Sequence, residues 1–151
     1  MNFPNPEVGT QLYRENFTEQ PEDVTMNPES IDLLVNLTKR NIRVGIVTNR
    51  KRGKWLVEKL PFPVLFDIII DLSSGIQPKP SPEGIILAIN QLNVAPEEVL
   101  FIGDTYYDIE AGKSAGVKFA GYTKGIHNRN TLSVFSLDWI IDSLSEILTI
   151  L

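Results

Sequence analysis

The chain contains no cysteine, which excludes disulfide bonds, a thiolate nucleophile and cysteine-based metal sites. It also has no long apolar run, since stretches such as VLFDIII are far too short to span a bilayer. The first residues, MNFPNPEVGT, include neither a basic region nor an apolar one, so they do not resemble a signal peptide. These absences predict a cytoplasmic protein with no membrane partner.

An excess of positive charge is absent as well. The 151 residues include 14 Lys and Arg against 19 Asp and Glu, which gives a formal net charge of −5 and a pI near 4.9. This balance argues against nucleic acid as a partner. Apolar residues make up 42% of the chain, enough for one soluble domain with a sizeable core.

Apolar runs alternate with segments of helical periodicity from residue 27 onward. This alternation predicts an α/β fold with a doubly wound parallel sheet in a core domain over 27–151. Residues 1–26 contain no buried-strand run and are predicted to form a separate arm. The predicted strands are IRVGIVT (42–48, buried on both faces), VLFDIII (64–70), EEVLFIG (97–103) and VKFAGYT (117–123), and the predicted helices begin at Asn27–Pro28–Glu29, near Trp55, at Ser81–Pro82–Glu83, at Ile109 and at Asp138.

Polar residues lie at or near the ends of these predicted strands. Thr48 and Asn49 follow the first strand, Lys79 precedes a helix, and Asp104 and Asp108 follow FIG. In open α/β sheets, ligands bind beyond the carboxyl ends of the strands. A hydroxyl, a cation and two carboxylates at that edge suit a phosphoryl group with Mg²⁺, since this metal prefers oxygen ligands.

Three segments carry a resemblance to a known family. IVTN, the lysine of QPKPSPEG, and FIGDTYYDIEAGKSAG resemble, in that order, motifs two, three and four of the haloacid dehalogenase-like hydrolases. The match covers roughly residues 27–126 and is closest to the phosphoglycolate phosphatase-like branch. It implies a Rossmann-like core and Mg²⁺-dependent hydrolysis of a small phosphorylated metabolite.

The resemblance also implies a role for each of the five residues. Thr48 would bind the phosphoryl group, assisted by the backbone beside Asn49. Lys79 would neutralise the phosphate and the nucleophile, so Thr48 and Lys79 are the predicted catalytic residues. Asp104 and Asp108 would hold Mg²⁺.

The family's first motif, a strand ending in DxDxT that carries the aspartate nucleophile, has no match before Thr48. VLFDIIIDLSSG (64–75) imitates this motif. However, Ile69 stands two positions after Asp67, where the motif has its second acid, and the segment comes after Thr48 instead of before it. We therefore predict an ordinary sheet strand there. Residues 11–26 resemble the end of the family's cap, so 1–26 would be a remnant of the cap or an extended arm, with most of the cap and the usual first strand missing from the pattern.

The missing strand would lie at the centre of the sheet, between the strands that end at Thr48 and Asp104. Either those two strands pair directly, or another segment or a second chain fills the place. One hypothesis is an enzyme whose nucleophile is supplied from elsewhere. The other, favoured for the isolated chain, is a non-catalytic pseudoenzyme that binds phosphate, metal or a protein, because charge and positioning cannot replace the covalent step.

A phosphoacceptor signalling domain is a third alternative, since it is also doubly wound and also uses Asp, Thr, Lys and Mg²⁺. Such domains place their acid pair near the start and their lysine near the end. Here Lys79 precedes Asp104 and Asp108. This order counts against the alternative.

Overall fold

The structure, a computed structural model, describes residues 27–60 and 65–151. The predicted arm over 1–26 lies outside these residues. The described strands are β1 (Gly45–Val47), β2 (Ile68–Ile70), β3 (Leu100–Gly103), β4 (Lys118–Tyr122) and β5 (Trp139–Ile141), and the helices are α1 (Pro28–Lys39), α2 (Gly53–Glu58), α3 (Glu83–Leu92), α4 (Tyr106–Ala115), α5 (Arg129–Leu132) and α6 (Ile147–Ile150). Within the described ranges, no helix has the length and apolar character needed to cross a membrane.

The helix predicted to begin at Asn27–Pro28–Glu29 is confirmed as α1. The Asn27 side chain accepts a hydrogen bond from the Glu29 backbone N–H at 3.0 Å, which satisfies one of the free donors of the first turn. Pro28 occupies the first helical position, where its missing N–H costs nothing. The apolar side of α1 then buries Leu33, Leu34 and Leu37.

The strands form two separate parallel ladders. β1 pairs with β2, with Ile46 opposite Ile69. β4 lies between β3 and β5, and Ala120 is the partner of both Ile102 and Trp139. The predicted parallel α/β architecture is confirmed. In the part of the chain that the structure describes, β1 and β3 are not paired with each other and no strand lies between them.

Helices on both sides hold the two ladders together. On one side, buried leucines of α1 form a core with residues of β4, β5 and α6, and both β3 and the residue just before β1 contact it. On the other side, isoleucines of α3 and an alanine of α4 form a second core that also reaches β1 and β3. The first core contains Leu33, Leu37, Ala120, Ile141 and Ile147, against which Val44, Leu100 and Ile102 pack, and the second contains Ile85, Ile89, Ala111 and Val117, against which Val47 and Phe101 pack.

The prediction that residues 42–48 are buried on both faces is wrong. Arg43 and Gly45 are exposed, and the other residues of the segment are only partly buried. Although helices lie on both sides of this segment, only one edge of β1 has a neighbouring strand among residues 27–60 and 65–151. Water can reach the side chains of β1 from the other edge. Their apolar character alone does not bury them.

The prediction of a continuous final helix from Asp138 is also wrong. Trp139–Ile141 forms β5, a 3₁₀ turn covers Leu144–Glu146, and only Ile147–Ile150 is α-helical. The apolar triplet pairs with β4 because that strand presents an edge to it. A run of three apolar residues fits a strand or a helix equally well, so the tertiary partner decides.

Candidate functional site

Two loops meet at the candidate site through the side chain of Asn49, just after β1. Its amide nitrogen donates to the Lys79 carbonyl at 3.0 Å, and its amide oxygen accepts from the Lys79 N–H at 2.7 Å. The peptide bond from Lys79 to Pro80 is cis. Asn49 therefore acts as a clamp that fixes the backbone of Lys79 beside the end of β1.

The Lys79 ammonium group connects the two sheets. Its Nζ donates to Asp108 Oδ1 at 2.6 Å and to the Val47 carbonyl at 3.0 Å, and it lies 5.6 Å from the centre of the Phe101 ring. The side chains of Lys79 and Asp108 are only 14% and 8% exposed. The ion pair is therefore largely removed from water. Its two charges attract each other more strongly than they would in water, because the protein interior has a lower dielectric constant.

Asp108 has partners on both of its carboxylate oxygens. Lys79 binds Oδ1. Oδ2 accepts a hydrogen bond from the Thr105 hydroxyl at 2.6 Å and another from the Thr105 N–H at 3.1 Å. The Asp104 N–H lies 3.4 Å from the same oxygen. Thr105 and Asp108 form the capping box that begins α4, because the Asp108 N–H donates in return to the Thr105 hydroxyl.

The Asp104 carboxylate faces the loop after β4. Its Oδ2 accepts from the Ile126 N–H at 2.6 Å, and its carbonyl accepts from the His127 N–H at 3.2 Å. A Cβ atom at Gly125 would lie 2.1 Å from Asp104 Oδ2, so only glycine allows this close approach. Asp104 and Asp108 are thus four residues apart, with the Asp104 carboxylate directed toward Gly125 and Ile126 and the Asp108 carboxylate toward Lys79.

Thr48 is held at the carboxyl end of β1, directly before Asn49. Its N–H donates to the Ile70 carbonyl at 2.9 Å, and its hydroxyl oxygen accepts from the Arg50 N–H at 3.2 Å. The hydroxyl proton remains able to donate to an anion. A Cβ atom at Gly53 would lie 2.3 Å from the Thr48 methyl group, so glycine lets α2 start against this residue.

Four of the five predicted site residues therefore contact one another, and Thr48 directly precedes one of them at the end of β1. Asn49 contacts Lys79, Lys79 contacts Asp108, Asp108 contacts the backbone of Asp104, and Thr48 adjoins Asn49. Asp67, which imitates the nucleophile motif, lies elsewhere. It precedes β2 at the amino end, where its carboxylate accepts from the Val44 N–H at 2.7 Å.

Sequence reasoning missed Asp71, which is 2% exposed and follows β2. Its carboxylate accepts from the Lys54 N–H at 2.8 Å, from the Ser73 N–H at 2.9 Å and from the Ser73 hydroxyl. Burial alone would raise the pKa of Asp71, but these hydrogen bonds outweigh it and lower the pKa below its ordinary value. Asp71 anchors the loop that follows Thr48. The Asp-x-Ser spacing, typical of an Asx turn, was the available signal.

The donors at this site suit a hard cation. Asp104 and Asp108 supply only oxygen atoms, and Mg²⁺ is often held by one or two carboxylates together with waters and substrate phosphates. Residues 27–60 and 65–151 contain no cluster of three or more histidine or acidic side chains that could hold a metal by themselves. A dedicated metal cage is therefore not built by the described residues, whereas a magnesium ion shared with a phosphate fits them.

Comparison with known proteins identifies the family. The family of haloacid dehalogenase-like hydrolases matches residues 5–122, well over half of the chain. The chain belongs to the haloacid dehalogenase-like hydrolases. Among curated members, it is 32% identical to pyrophosphatase PpaX of Bacillus velezensis, over 92% of this chain and 66% of that protein, and 32% identical to PpaX of Oceanobacillus iheyensis, over 93% and 67%. The chain thus spans about two thirds of the length of these relatives.

Solved structures of haloacid dehalogenase-like proteins have the same fold as this chain. The chain resembles a haloacid dehalogenase-like hydrolase from Bacteroides fragilis with a TM-score of 0.78 and 30% identity, over 96% of this chain and 72% of that one. A protein described as a predicted phosphoglycolate phosphatase from Haemophilus somnus gives a TM-score of 0.76 and 27% identity, over 93% and 62%. The Rossmann-like core expected from the sequence is therefore confirmed.

Proposed function

We propose that this chain carries the phosphate-binding part of a haloacid dehalogenase-like phosphatase, whose full site performs Mg²⁺-dependent phosphomonoester hydrolysis in the cytoplasm. The observation that carries the proposal is the Lys79 ammonium group, held between Asp108 and the Val47 carbonyl at the ends of β1 and β3. An ammonium group with one proton beyond these two contacts can donate to an anion.

Each side chain has a task in this proposal. Lys79 neutralises a phosphoryl group and, where present, the attacking carboxylate. The Thr48 hydroxyl donates to a second phosphoryl oxygen, and Asn49 contributes by fixing the Lys79 backbone, with its own N–H beside the anion. Such fixed donors stabilise developing charge without reorganising during the reaction.

Asp104 and Asp108 would hold Mg²⁺. The metal would neutralise phosphoryl oxygens and orient the substrate. Asp104 is the stronger ligand candidate, because among the described residues only its Oδ2 accepts a hydrogen bond, from the Ile126 N–H, whereas both oxygens of Asp108 are engaged by Lys79 and Thr105. Asp108 then acts mainly by holding Lys79.

The described residues place no aspartate where a nucleophile would have to stand, facing Lys79 between β1 and β3. We therefore propose that this chain alone binds phosphate without turnover, and that hydrolysis requires an aspartate from another segment or a second chain. The alternative is a non-catalytic module that uses the same site only for binding. Because the curated relatives are named pyrophosphatases, the ligands to compare are inorganic pyrophosphate and small phosphate esters.

Titration calorimetry with inorganic phosphate and with pyrophosphate, each with and without Mg²⁺, tests the site. Lys79→Met should weaken binding by about tenfold or more, because a charge-assisted hydrogen bond contributes roughly 1.5–3 kcal/mol. Lys39→Met removes the same charge at the exposed last turn of α1 and should leave binding unchanged. Equal affinity of the Lys79 and Lys39 variants would contradict the proposal.

Assays of aryl phosphate and pyrophosphate hydrolysis distinguish binding without turnover from catalysis by this chain. The chain alone should release no phosphate above background. Turnover that disappears in Asp104→Asn would show that this chain is complete as an enzyme, contrary to our expectation.

A further inference from the structure

The strand β2 has an aspartate at each end. Asp67, an exposed residue, precedes the strand, and its carboxylate accepts from the Val44 N–H at 2.7 Å. Asp71 follows the strand, and its carboxylate accepts from the Lys54 N–H at 2.8 Å. Both side chains tie β2 to a neighbouring segment. Only Asp71, which is 2% exposed, does so at the carboxyl end of the ladder, where Thr48 also lies.

Asp71 and the residue after it hold the loop that joins Thr48 to α2. The Asp71 carboxylate accepts from Lys54 in the first turn of α2, and the Leu72 N–H donates to the Arg50 carbonyl at 3.2 Å. The loop is thereby fixed at both ends to the chain that follows β2. Arg50 is then in place to donate its N–H to the Thr48 hydroxyl oxygen at 3.2 Å. Since this bond occupies a lone pair of the oxygen, the hydroxyl proton is left for a different acceptor.

Asp71 and Thr48 are also neighbours in the packing around Gly53, the first residue of α2. A Cβ atom at Gly53 would lie 2.3 Å from the Thr48 methyl carbon and 3.1 Å from the Asp71 Cβ. Both side chains therefore adjoin the same small space. In a closely packed interior, a displacement of Asp71 reaches Thr48 through these contacts as well as through the hydrogen bonds of the loop.

The Lys79 backbone depends much less on Asp71. Asp71 Oδ1 accepts from the Ser73 N–H at 2.9 Å and from the Ser73 hydroxyl, which begins the 3₁₀ turn on the way to Lys79. The Lys79 backbone itself, however, is fixed by two hydrogen bonds with Asn49. The two proposed phosphate donors are therefore held by different side chains.

The charge of Asp71 and its hydrogen bonds have opposite effects on an anion at the site. A nearby carboxylate repels phosphate, so loss of its charge would by itself strengthen phosphate binding. Loss of its hydrogen bonds frees the loop and the Thr48 hydroxyl. That change weakens binding, because only a fixed donor stabilises an anion without reorganising. The sign of the change in phosphate affinity therefore separates the two contributions.

We propose that Asp71 is a positioning residue for phosphate binding, which holds the loop after β1 so that the Thr48 hydroxyl is aimed at an incoming phosphoryl oxygen. Asp71 acts without contacting the phosphate, since its oxygens are bound to Lys54 and Ser73. The inference rests on the proposed function, because it takes the phosphoryl group to contact both Thr48 and Lys79. A purely structural Asp71 would stabilise the fold and leave phosphate affinity unchanged.

Titration calorimetry of the full chain with inorganic phosphate tests this role, after circular dichroism has confirmed that each variant is folded at the temperature used. Asp71→Ala should weaken phosphate binding by about threefold or more, which corresponds to the loss of one well-placed hydrogen bond. Asp67→Ala removes the equivalent carboxylate at the other end of β2 and should leave the affinity unchanged. Unchanged or increased affinity in Asp71→Ala, or an equal loss in both variants, would overturn the proposal.

A double-mutant cycle shows whether Asp71 acts through Thr48. Thr48→Val keeps the methyl group that packs against Gly53 but removes the hydroxyl. In the Thr48→Val background, Asp71→Ala should have almost no further effect on phosphate affinity. In the Lys79→Met background it should again weaken binding by about threefold. Losses that add fully in the Thr48→Val background would contradict the proposal.

Lys54 offers a second test that leaves Asp71 in place. Lys54→Pro removes the N–H that Asp71 accepts, and proline is tolerated in the first turn of a helix. Lys54→Ala removes the same charge but keeps the N–H, so the comparison isolates the hydrogen bond. Lys54→Pro should bind phosphate about threefold more weakly than Lys54→Ala. Equal affinities would overturn the proposal, even where Asp71→Ala does not fold.

The proposed function and this inference fail in different ways. Equal phosphate affinity of the Lys79→Met and Lys39→Met variants contradicts the proposed function and removes the basis of the inference with it. A loss of affinity in Lys79→Met, with Asp71→Ala binding as tightly as the wild type, leaves the proposed function intact and overturns only the role of Asp71.

Discussion

The central strand of one sheet and the inner strand of the other make an instructive comparison. β4 and β1 are both apolar, and both have helices on their two faces. Phe119 and Ala120 of β4 are 2% and 0% exposed, whereas Gly45 is exposed and Ile46 and Val47 are only partly buried. β4 has a strand on each side, while β1 has one neighbour among the described residues.

The comparison shows that lateral neighbours, as well as covering helices, are required to bury a strand. An apolar side chain on a sheet is surrounded partly by side chains of the strands beside it. Where one of those strands is lacking, water reaches the side chain from the edge.

The largest expected effect is on the free energy of unfolding, which should fall more when a side chain of β4 is truncated than when one of β1 is. Phe119 packs in a T-shaped contact with Phe101, with ring centres 5.7 Å apart, so Phe119→Ala should cost about 3–5 kcal/mol. Ile46→Ala should cost about 1–2 kcal/mol, because the side chain is already partly in water. Urea unfolding followed by circular dichroism measures both. Equal losses would mean that β1 is as well packed as β4.

A smaller effect is expected at Asp71, which joins the end of β2 to the start of α2. Asp71→Asn places an amide where the carboxylate accepts from Lys54 and Ser73, and should cost about 2 kcal/mol near neutral pH. Asp32→Asn, on the exposed side of α1, is the matched control and should change stability by less than about 0.5 kcal/mol.

The pH dependence of that loss follows from the lowered pKa of Asp71. A depressed carboxyl pKa contributes stability that is fully present above the ordinary value of 3.8 and disappears as the pH falls through the lowered value. The difference between wild type and Asp71→Asn should therefore shrink in acid. A difference that stays constant down to the acid transition would show that the charge of Asp71 is not involved.

The smallest effect is expected at the ion pair beside β5. Arg129 and Asp142 lie 2.9 Å apart, and their side chains are 51% and 59% exposed. Although the hydrogen bond from Arg129 lowers the pKa of Asp142, exposed ion pairs contribute little because water and salt screen them. Arg129→Gln should leave the melting temperature unchanged within experimental scatter. A clear decrease that vanishes in high salt would reveal an unexpected electrostatic role.

Local signals predicted the helices best. Asn27 and Pro28 marked the start of α1, and the segment from Ser81 to Leu92 became α3, because capping and proline geometry act within a few residues. The end of the chain was predicted poorly. Whether Trp139–Ile141 forms a strand depends on the edge of β4, which lies far away in sequence.

The candidate site was predicted in composition but not in detail. The motif order indicated that Thr48, Asn49, Lys79, Asp104 and Asp108 would meet, and the structure joins the last four through hydrogen bonds, with Thr48 directly before Asn49. The sequence did not indicate that Asp108 turns toward Lys79 while Asp104 turns toward Ile126. Their roles in phosphate and metal binding stay predictions until the titrations are made.

The sequence by itself determined the parallel α/β class and the family, and it predicted which residues form the candidate site, because these depend on periodicity, capping and motif order along the chain. Only the tertiary structure decided how deeply each strand is buried and which strands pair with each other. Burial and pairing are properties of neighbours in space. The sequence of β1 carries the apolar residues of a central strand, but a second strand must lie beside it before they leave water.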